Sequence, residues 1–341
     1  FDLNHYYNMI PTFLDKMLAL PVETPAQQAR YRTILDNLSP FIRSQHQKLA
    51  EQSRRYIRMP LEGCRLTLAS LENCAGRLDA LDRFEGCASA AKAARQAMAE
   101  LLGYIRGPYM KQAPQAAGMC QYPGGSVLYM NEVDTYISQR LDPREIQRVG
   151  YEELAKSEAA MLEIVRSLGC RGTLRECLDA VQNDPRWRFH SPEEMQETMT
   201  AYLDQIRPLM PRYFSRMPKA DCAVARLNPA AEATTSWGYY NVPVEKPVGV
   251  YYYSALELDR RCQIRTRAVV YHELLPGHHY QMNLVLEDPT LPDIIHHHYN
   301  TAFADGWAEY ASGFCRELGL YSGCDDLGRL SWDCFLCCRL I

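Results

Sequence analysis

The feature that most constrains this chain is the run His272-Glu273-Leu274-Leu275-Pro276-Gly277-His278-His279. In the familiar H-E-x-x-H arrangement two histidines four apart share one helix face and grip a single zinc ion, with the glutamate beside them as general base. Here the second histidine comes at the sixth position, and a proline occupies the fourth. On an unbroken helix, turning about 100° per residue, His278 would point roughly 120° away from His272 and miss the metal. Pro276 has no amide hydrogen to offer the His272 carbonyl and its ring collides with it, while Gly277 accepts dihedrals that other residues avoid. The helix is therefore expected to bulge, which returns His278 to the side of His272. His279 regains the facing direction but lies about 10.5 Å along the axis, too far for two nitrogens each about 2.0–2.1 Å from one zinc. His278 is the expected partner.

A catalytic zinc takes three protein ligands and leaves a fourth position for water. The segment Thr301-Ala302-Phe303-Ala304-Asp305-Gly306-Trp307-Ala308-Glu309-Tyr310 offers two carboxylates four apart, on one helical face. One can bind the metal while the other holds a ligand histidine through its remaining ring nitrogen.

The pattern H-E-x-x-P-G-H-H, followed by an acidic residue, Gly-Trp-Ala and a tyrosine, resembles the bacterial domain-of-unknown-function family 885, a zinc-metallopeptidase-like group with a distant likeness to gluzincins of the angiotensin-converting-enzyme type. Tyr122-Pro123-Gly124-Gly125, Asp142-Pro143-Arg144-Glu145-Ile146, Trp237-Gly238-Tyr239-Tyr240 and Leu327-Gly328-Arg329-Leu330 follow in the family's order, so the likeness runs from about Met59 to Ile341. The resemblance implies His272 and His278 as ligands, Glu273 as base, Asp305 as third ligand and Glu309 as support for a histidine, with His279 also set behind the ligands. The family usually carries glutamate where this chain has Asp305, one methylene shorter, so Glu309 stays open as the alternative ligand. The family also continues past Arg339-Leu340 into an Asp-Thr-Gly-x-His segment, which these 341 residues do not contain.

Other features compete for a functional reading. The run His296-His297-His298 has no fixed spacing to the first pair and reads as a polar helix start or a loop. Thirteen cysteines, Cys334, Cys337 and Cys338 among them, form no repeated close pairs and read as ordinary thiols in a reducing compartment. Arg265 and Arg267 precede the motif and can meet a carboxylate or simply face solvent.

With 341 residues, 47% of them hydrophobic, the chain can bury a substantial core, and one catalytic domain over 1–341 is expected, with residues 1–58 as a helical lid. A net charge of −4 leaves no basic footprint for nucleic acid, and no apolar run is long enough to span a membrane. A cytoplasmic setting is expected. The first residue is Phe1 and not methionine, so a removed leader stays open. Oligomeric state is left open. Neither a P-loop nor a G-x-G-x-x-G run is present.

Helix signals dominate. Asp142-Pro143-Arg144-Glu145, Thr173-Leu174-Arg175-Glu176 and Ser191-Pro192-Glu193-Glu194 each set a capping side chain three residues before a glutamate. The alanine-rich stretch Ala88–Leu102 predicts a helix closed by Gly103, and Ile264, Ala268, Tyr271 and Leu275 form an apolar stripe along the motif helix. Strand signal is confined to 239–244 and 248–253, which predict a short hairpin around Glu245-Lys246-Pro247. Its tyrosines are candidates beside the metal, Tyr240 and Tyr252 to polarise a scissile carbonyl and Tyr239 and Tyr251 to contact substrate.

The expectation is a mainly α, zincin-like hydrolase with a deep cleft and a small sheet beside the motif helix. It would use one Zn2+ to cleave peptide or amide bonds in small peptides or modified amino acids. The rivals are a metal-poor relative that binds peptides without cleaving them, and a cysteine-nucleophile hydrolase that chelators would not inhibit.

Overall fold

The computed structural model describes residues 3–4, 8–228, 232, 237–243 and 248–341, apart from the side chain of Asp259. Helices dominate and one three-stranded sheet accompanies them, the mainly α architecture expected. The chain divides into two compact units, Phe1–Glu132 and Val133–Ile341.

The first unit is helical: α1 (Met9–Leu18), α2 (Pro25–Arg54), α3 (Leu61–Arg77) and α4 (Ala88–Tyr104). Thr24 and Gln27 exchange side-chain and backbone hydrogen bonds ahead of Pro25, which satisfies the orphan amides at the start of α2. Ala91, Ala94 and Ala97 give α4 a face of small side chains, buried with Tyr31, Leu35, Ile42 and Leu49 of α2 in one core. Residues 1–58 thus supply α1 and α2 to this core. The helix does not stop at Gly103 but runs to Tyr104 and into a wide turn over Ile105–Tyr109. Burial of Ile105 and Tyr109 outweighs the glycine's low helix propensity. A further helix, α5 (Gly125–Ile137), crosses from one unit's residues to the other's.

The second unit contains α6 (Pro143–Ser167), α7 (Leu174–Asn183), α8 (Pro192–Ile206) and the single turn α9 (Met210–Tyr213). The three expected starts are in place: Asp142, Thr173 and Ser191 each accept a backbone hydrogen bond from the first turn. Cys170, in the loop after α6, and Cys177, within α7, form a disulfide, with Cα atoms 6.0 Å apart. This corrects the expectation of thiols throughout, because the loop brings together two cysteines whose spacing of seven carries no signal in sequence.

The sheet has the order β1-β3-β2, with β1 (Asp221–Arg226) parallel and β2 (Gly238–Asn241) antiparallel to β3 (Val248–Tyr253). The expected hairpin pairs Tyr240 with Tyr251. Val244 and the expected turn at 245–247 lie outside the described residues. β1 was not expected: Asp-Cys-Ala-Val-Ala-Arg holds a single β-branched residue, and the strand forms by pairing with β3 while Cys222 and Val224 are buried.

Five helices complete the unit: α10 (Thr266–Glu273), α11 (His278–Leu286), α12 (Asp293–His297), α13 (Thr301–Phe314) and α14 (Cys324–Leu340). The stripe Ile264, Ala268, Tyr271 and Leu275 is buried as expected, and much of it shares a core with Met199, Leu203, Tyr251 and Tyr253. The approach of α14 is close: a Cβ on Gly328 would lie 1.8 Å from the Ile264 carbonyl oxygen. Only glycine fits there, and the contact sets Arg329 beside α13. Among the described residues no helix is long and apolar enough to cross a membrane.

Candidate metal centre

The motif does not bulge within one helix; it breaks into two. α10 ends at Glu273, Leu274 leaves helical geometry with φ −111° and ψ −104°, and α11 starts afresh at His278. Pro276 cannot donate to the turn before it. Gly277 lies so close to α10 that a Cβ there would come 1.8 Å from the His272 carbonyl oxygen. The indole Nε1 of Trp307 donates to the Pro276 carbonyl at 3.0 Å, which ties the break to α13. His272 is therefore on the last turn of one helix and His278 is the first residue of the next.

The break brings the two imidazoles together. Their ring centroids are 4.7 Å apart at an interplanar angle of 87°. Asp305 Oδ1 lies 3.9 Å from His272 Nε2 and 3.6 Å from His278 Nε2, and one ligand atom from each of the three residues falls within 4.8 Å of the others. A tetrahedral zinc with bonds of about 2.0–2.1 Å sets its donors about 3.3–3.4 Å apart. The two Asp305 edges exceed that by a few tenths of an ångström, within reach of small side-chain rotations. Two imidazoles and a carboxylate are a donor set that suits zinc. Asp305, not Glu309, completes the group despite its shorter side chain.

Glu309 stands behind His272. Its Oε1 lies 3.0 Å from His272 Nδ1 and accepts from Trp332 Nε1 at 2.7 Å, while its Oε2 lies 2.9 Å from Arg329 Nη1. Arg329 also meets Asp333 at 2.8 Å and donates to the Glu309 carbonyl. Burial alone would push Glu309 up, but His272, Arg329 and Trp332 outweigh it and hold the carboxyl below its usual range. For His272 the same balance runs the other way: burial pushes it down, and Glu309, Glu273 and Asp305 leave it raised. His278 beside Asp305 draws that carboxyl down. The metal-free site thus favours a proton on His272, which a cation would displace.

Glu273 is half-buried next to the group. Burial pushes its carboxyl up, the neighbouring histidines pull it partly back, and the backbone amide of Tyr240 donates to it. That amide lies on β2, at the sheet edge.

The tyrosines fall differently from expectation. The Tyr240 hydroxyl is 2.9 Å from His279 Nδ1 and accepts from Asn283 at 2.9 Å, so it is held in a partly buried network with these two side chains. Tyr252 and Tyr239 are cross-strand partners with ring centroids 6.1 Å apart. Strand alternation puts them on the face opposite Tyr251, and Tyr251 alone of the four lines the cavity beside Glu273. Sequence reasoning missed Tyr299, which lies near enough to Asp305 to help lower that carboxyl and which also feels the charge of Glu273.

His279 does not stand behind the ligands. Its Nε2 lies 3.1 Å from the Ala220 carbonyl and its Nδ1 faces Tyr240 and Asn283, which fits a neutral ring carrying its proton on Nε2. Burial pushes its pKa down to about 4. It fastens α11 to the sheet and steadies the strand whose amide reaches Glu273. His296 lies 3.0 Å from the Asp288 carbonyl and His297 ends α12; among the described residues neither joins the metal-ligand group.

A cavity of about 220 Å³ opens beside His272, Glu273 and Glu309. Arg265, Ala268, Val269 and His272 line it from successive turns, and Trp237 and Trp332 face them. Arg267 is not available to it: the side chain pairs with Asp325 at 2.8 Å and stacks over Tyr202.

A family model described as a bacterial protein of unknown function (DUF885) matches residues 1–341. No protein of curated function matches the sequence. Among solved structures the chain is similar to a candidate lipoprotein from Colwellia psychrerythraea, with 20% identity and a TM-score of 0.77, covering 100% of this chain and 64% of that one. It is also similar to a candidate lipoprotein of unknown function from Shewanella oneidensis, with 13% identity and a TM-score of 0.66, covering 99% of this chain and 65% of that one. The fold is thus shared with both, and the chain spans just under two thirds of each one's length.

Proposed function

The chain belongs to the DUF885 family of bacterial proteins, and from that premise we propose that it is a zinc-dependent hydrolase of peptide or amide bonds in small peptides. The observation that carries the reading is the convergence of His272 Nε2, His278 Nε2 and the Asp305 carboxylate beside the half-buried Glu273. Three such donors would hold one zinc. Zinc so held supplies Lewis acidity and a water acidified toward neutral pH.

The rest is work for this chain's own residues. Glu309 fixes the His272 ring so that Nε2 faces the ligand group. Glu273, with a carboxyl raised by burial, takes a proton from the attacking water and gives it to the leaving nitrogen. The carbonyl carbon gains the water oxygen, the C–N bond breaks, and the amine departs with the proton. Tyr299, whose hydroxyl lies beside Asp305 and near Glu273, is better placed than Tyr240 or Tyr252 to donate to the scissile carbonyl.

The test is to measure zinc per chain in purified protein and then expose the loaded protein to a mixed peptide library read by mass spectrometry. Cleavage that a chelator stops and zinc restores supports the reading. Stoichiometric zinc with an intact library would favour the peptide-binding relative, a reading kept alive by the half-exposed, short Asp305.

A further inference from the structure

We propose that the cavity beside Glu273 captures the free C-terminal carboxylate of a peptide on Arg265, so that the substrates lose a short segment from their C-terminal end. The proposal rests on the hydrolase reading for the cleavage but not for the binding.

Two cations line the cavity and only one is available. Arg329 is committed to Glu309 and Asp333. Arg265 Nε donates to the Ser331 hydroxyl at 3.2 Å, and among the described residues no carboxylate pairs with Arg265. A guanidinium beside an apolar cavity presents a fork that matches a carboxylate. The remaining walls, Trp237, Tyr251, Ala268, Val269 and Trp332, are largely apolar. One residue that carries both a carboxylate and a large apolar side chain fits this lining, and a C-terminal residue is such a group. An acidic side chain within a longer peptide leaves the apolar walls without a partner.

The spacing agrees. Arg265 and His272 are seven apart, with Ala268 and Val269 between them on the same stripe, so they lie two helical turns or about 10.5 Å apart along the axis. One or two residues of extended chain, at about 3.3–3.6 Å each, together with the reach of the arginine, cover that interval from the bond beside Glu273.

The test titrates N-acetylphenylalanine and N-acetylphenylalaninamide against metal-free protein, followed by calorimetry and by fluorescence of the tryptophans. We expect the acid to bind at least tenfold more tightly than the amide, Arg265→Gln to erase the difference, and Arg265→Lys to keep part of it, with circular dichroism confirming that both variants fold. Equal binding of acid and amide, no binding of either, or a preference that survives Arg265→Gln would overturn the proposal. So would N-acetylglutamic acid α-amide binding as well as N-acetylphenylalanine, which would mark a side-chain site. A second arm offers hippuryl-phenylalanine and its amide to zinc-loaded protein. A hundredfold preference in kcat/KM for the free acid supports the proposal, and cleavage of both alike overturns it while leaving the hydrolase reading intact. Arg265-dependent binding of the acid in a protein that cleaves nothing supports the site and counts against the hydrolase reading instead.

Discussion

Gly277 packs directly on the carbonyl of His272: a Cβ on residue 277 would sit 1.8 Å from that oxygen and 2.6 Å from the carbonyl of Tyr271. Neither neighbour can yield, since both are backbone atoms of α10. Gly277→Ala should therefore push α11 away and carry His278 with it. We expect a loss of about 1–3 kcal/mol in stability, the usual range for overpacking, and weaker zinc binding. Gly306→Ala in α13 is the control, because its Cβ would meet nothing within 4 Å. Equal effects of the two substitutions in thermal melts would refute the packing argument.

Glu273→Gln should keep the metal and lose turnover. The amide preserves size and can still accept from the Tyr240 backbone, but it cannot take a proton. A drop in kcat of about 10²–10⁴-fold is expected for a general base, with zinc content unchanged. Near-normal kcat in that variant would end the assignment.

Glu309→Gln acts one step further out. The amide oxygen can still accept from Trp332, but the charge that holds His272 and neutralises Arg329 is gone. Zinc affinity should fall about 10–100-fold, as is usual when the partner of a metal-bound histidine is altered. Competition against a chromophoric chelator measures this directly, and an unchanged affinity would show that Glu309 serves packing alone.

Asp333 offers a pH test away from the ligands. Burial pushes its carboxyl up from 3.8 to about 6 against the pull of Arg329. Between those values the folded chain holds a proton that the unfolded chain has released, so stability falls as pH rises through the window. Asp333→Asn removes the effect while keeping an acceptor for Arg329, and should gain on the parent by up to about 3 kcal/mol between pH 4 and pH 7. Parallel stability curves for the two proteins would contradict the burial argument.

Reduction of Cys170–Cys177 should expose two thiols beyond the eleven that are free. Opening so short a loop removes about 2.5 kcal/mol on chain-entropy grounds. Denaturant titration with and without reductant reads the change, and coincident curves would mean that the bridge constrains little.

Much of this was legible in the sequence, for reasons that particular residues make plain. Local signals survived: Thr173 with Glu176, and Ser191 with Glu194, act over three residues, so the caps are where they were expected. His272, His278 and Asp305 come together in space; helix geometry pointed to the two histidines, whereas the choice of Asp305 over Glu309 came only from the family resemblance. The break at Pro276 was foreseen as a disturbance, but whether a helix bulges or splits depends on what packs against it. Here Trp307 and the closeness of Gly277 decide. Which of the tyrosines face the cavity was hidden for a related reason. Strand alternation settles which faces a site, and the sheet's third strand and its packing were not visible. Arg329, Trp332 and Tyr299 approach from other helices or loops, and no spacing rule links them to the motif.

Because His272 closes one helix and His278 opens the next, a cation shared between them would act as a rivet across a gap in the main-chain hydrogen-bond ladder. Two segments that the backbone leaves mechanically independent would then move as one. Loading and stripping the ion should accordingly register as a change in rigidity at the start of α11, where slower amide exchange would mark the riveted state.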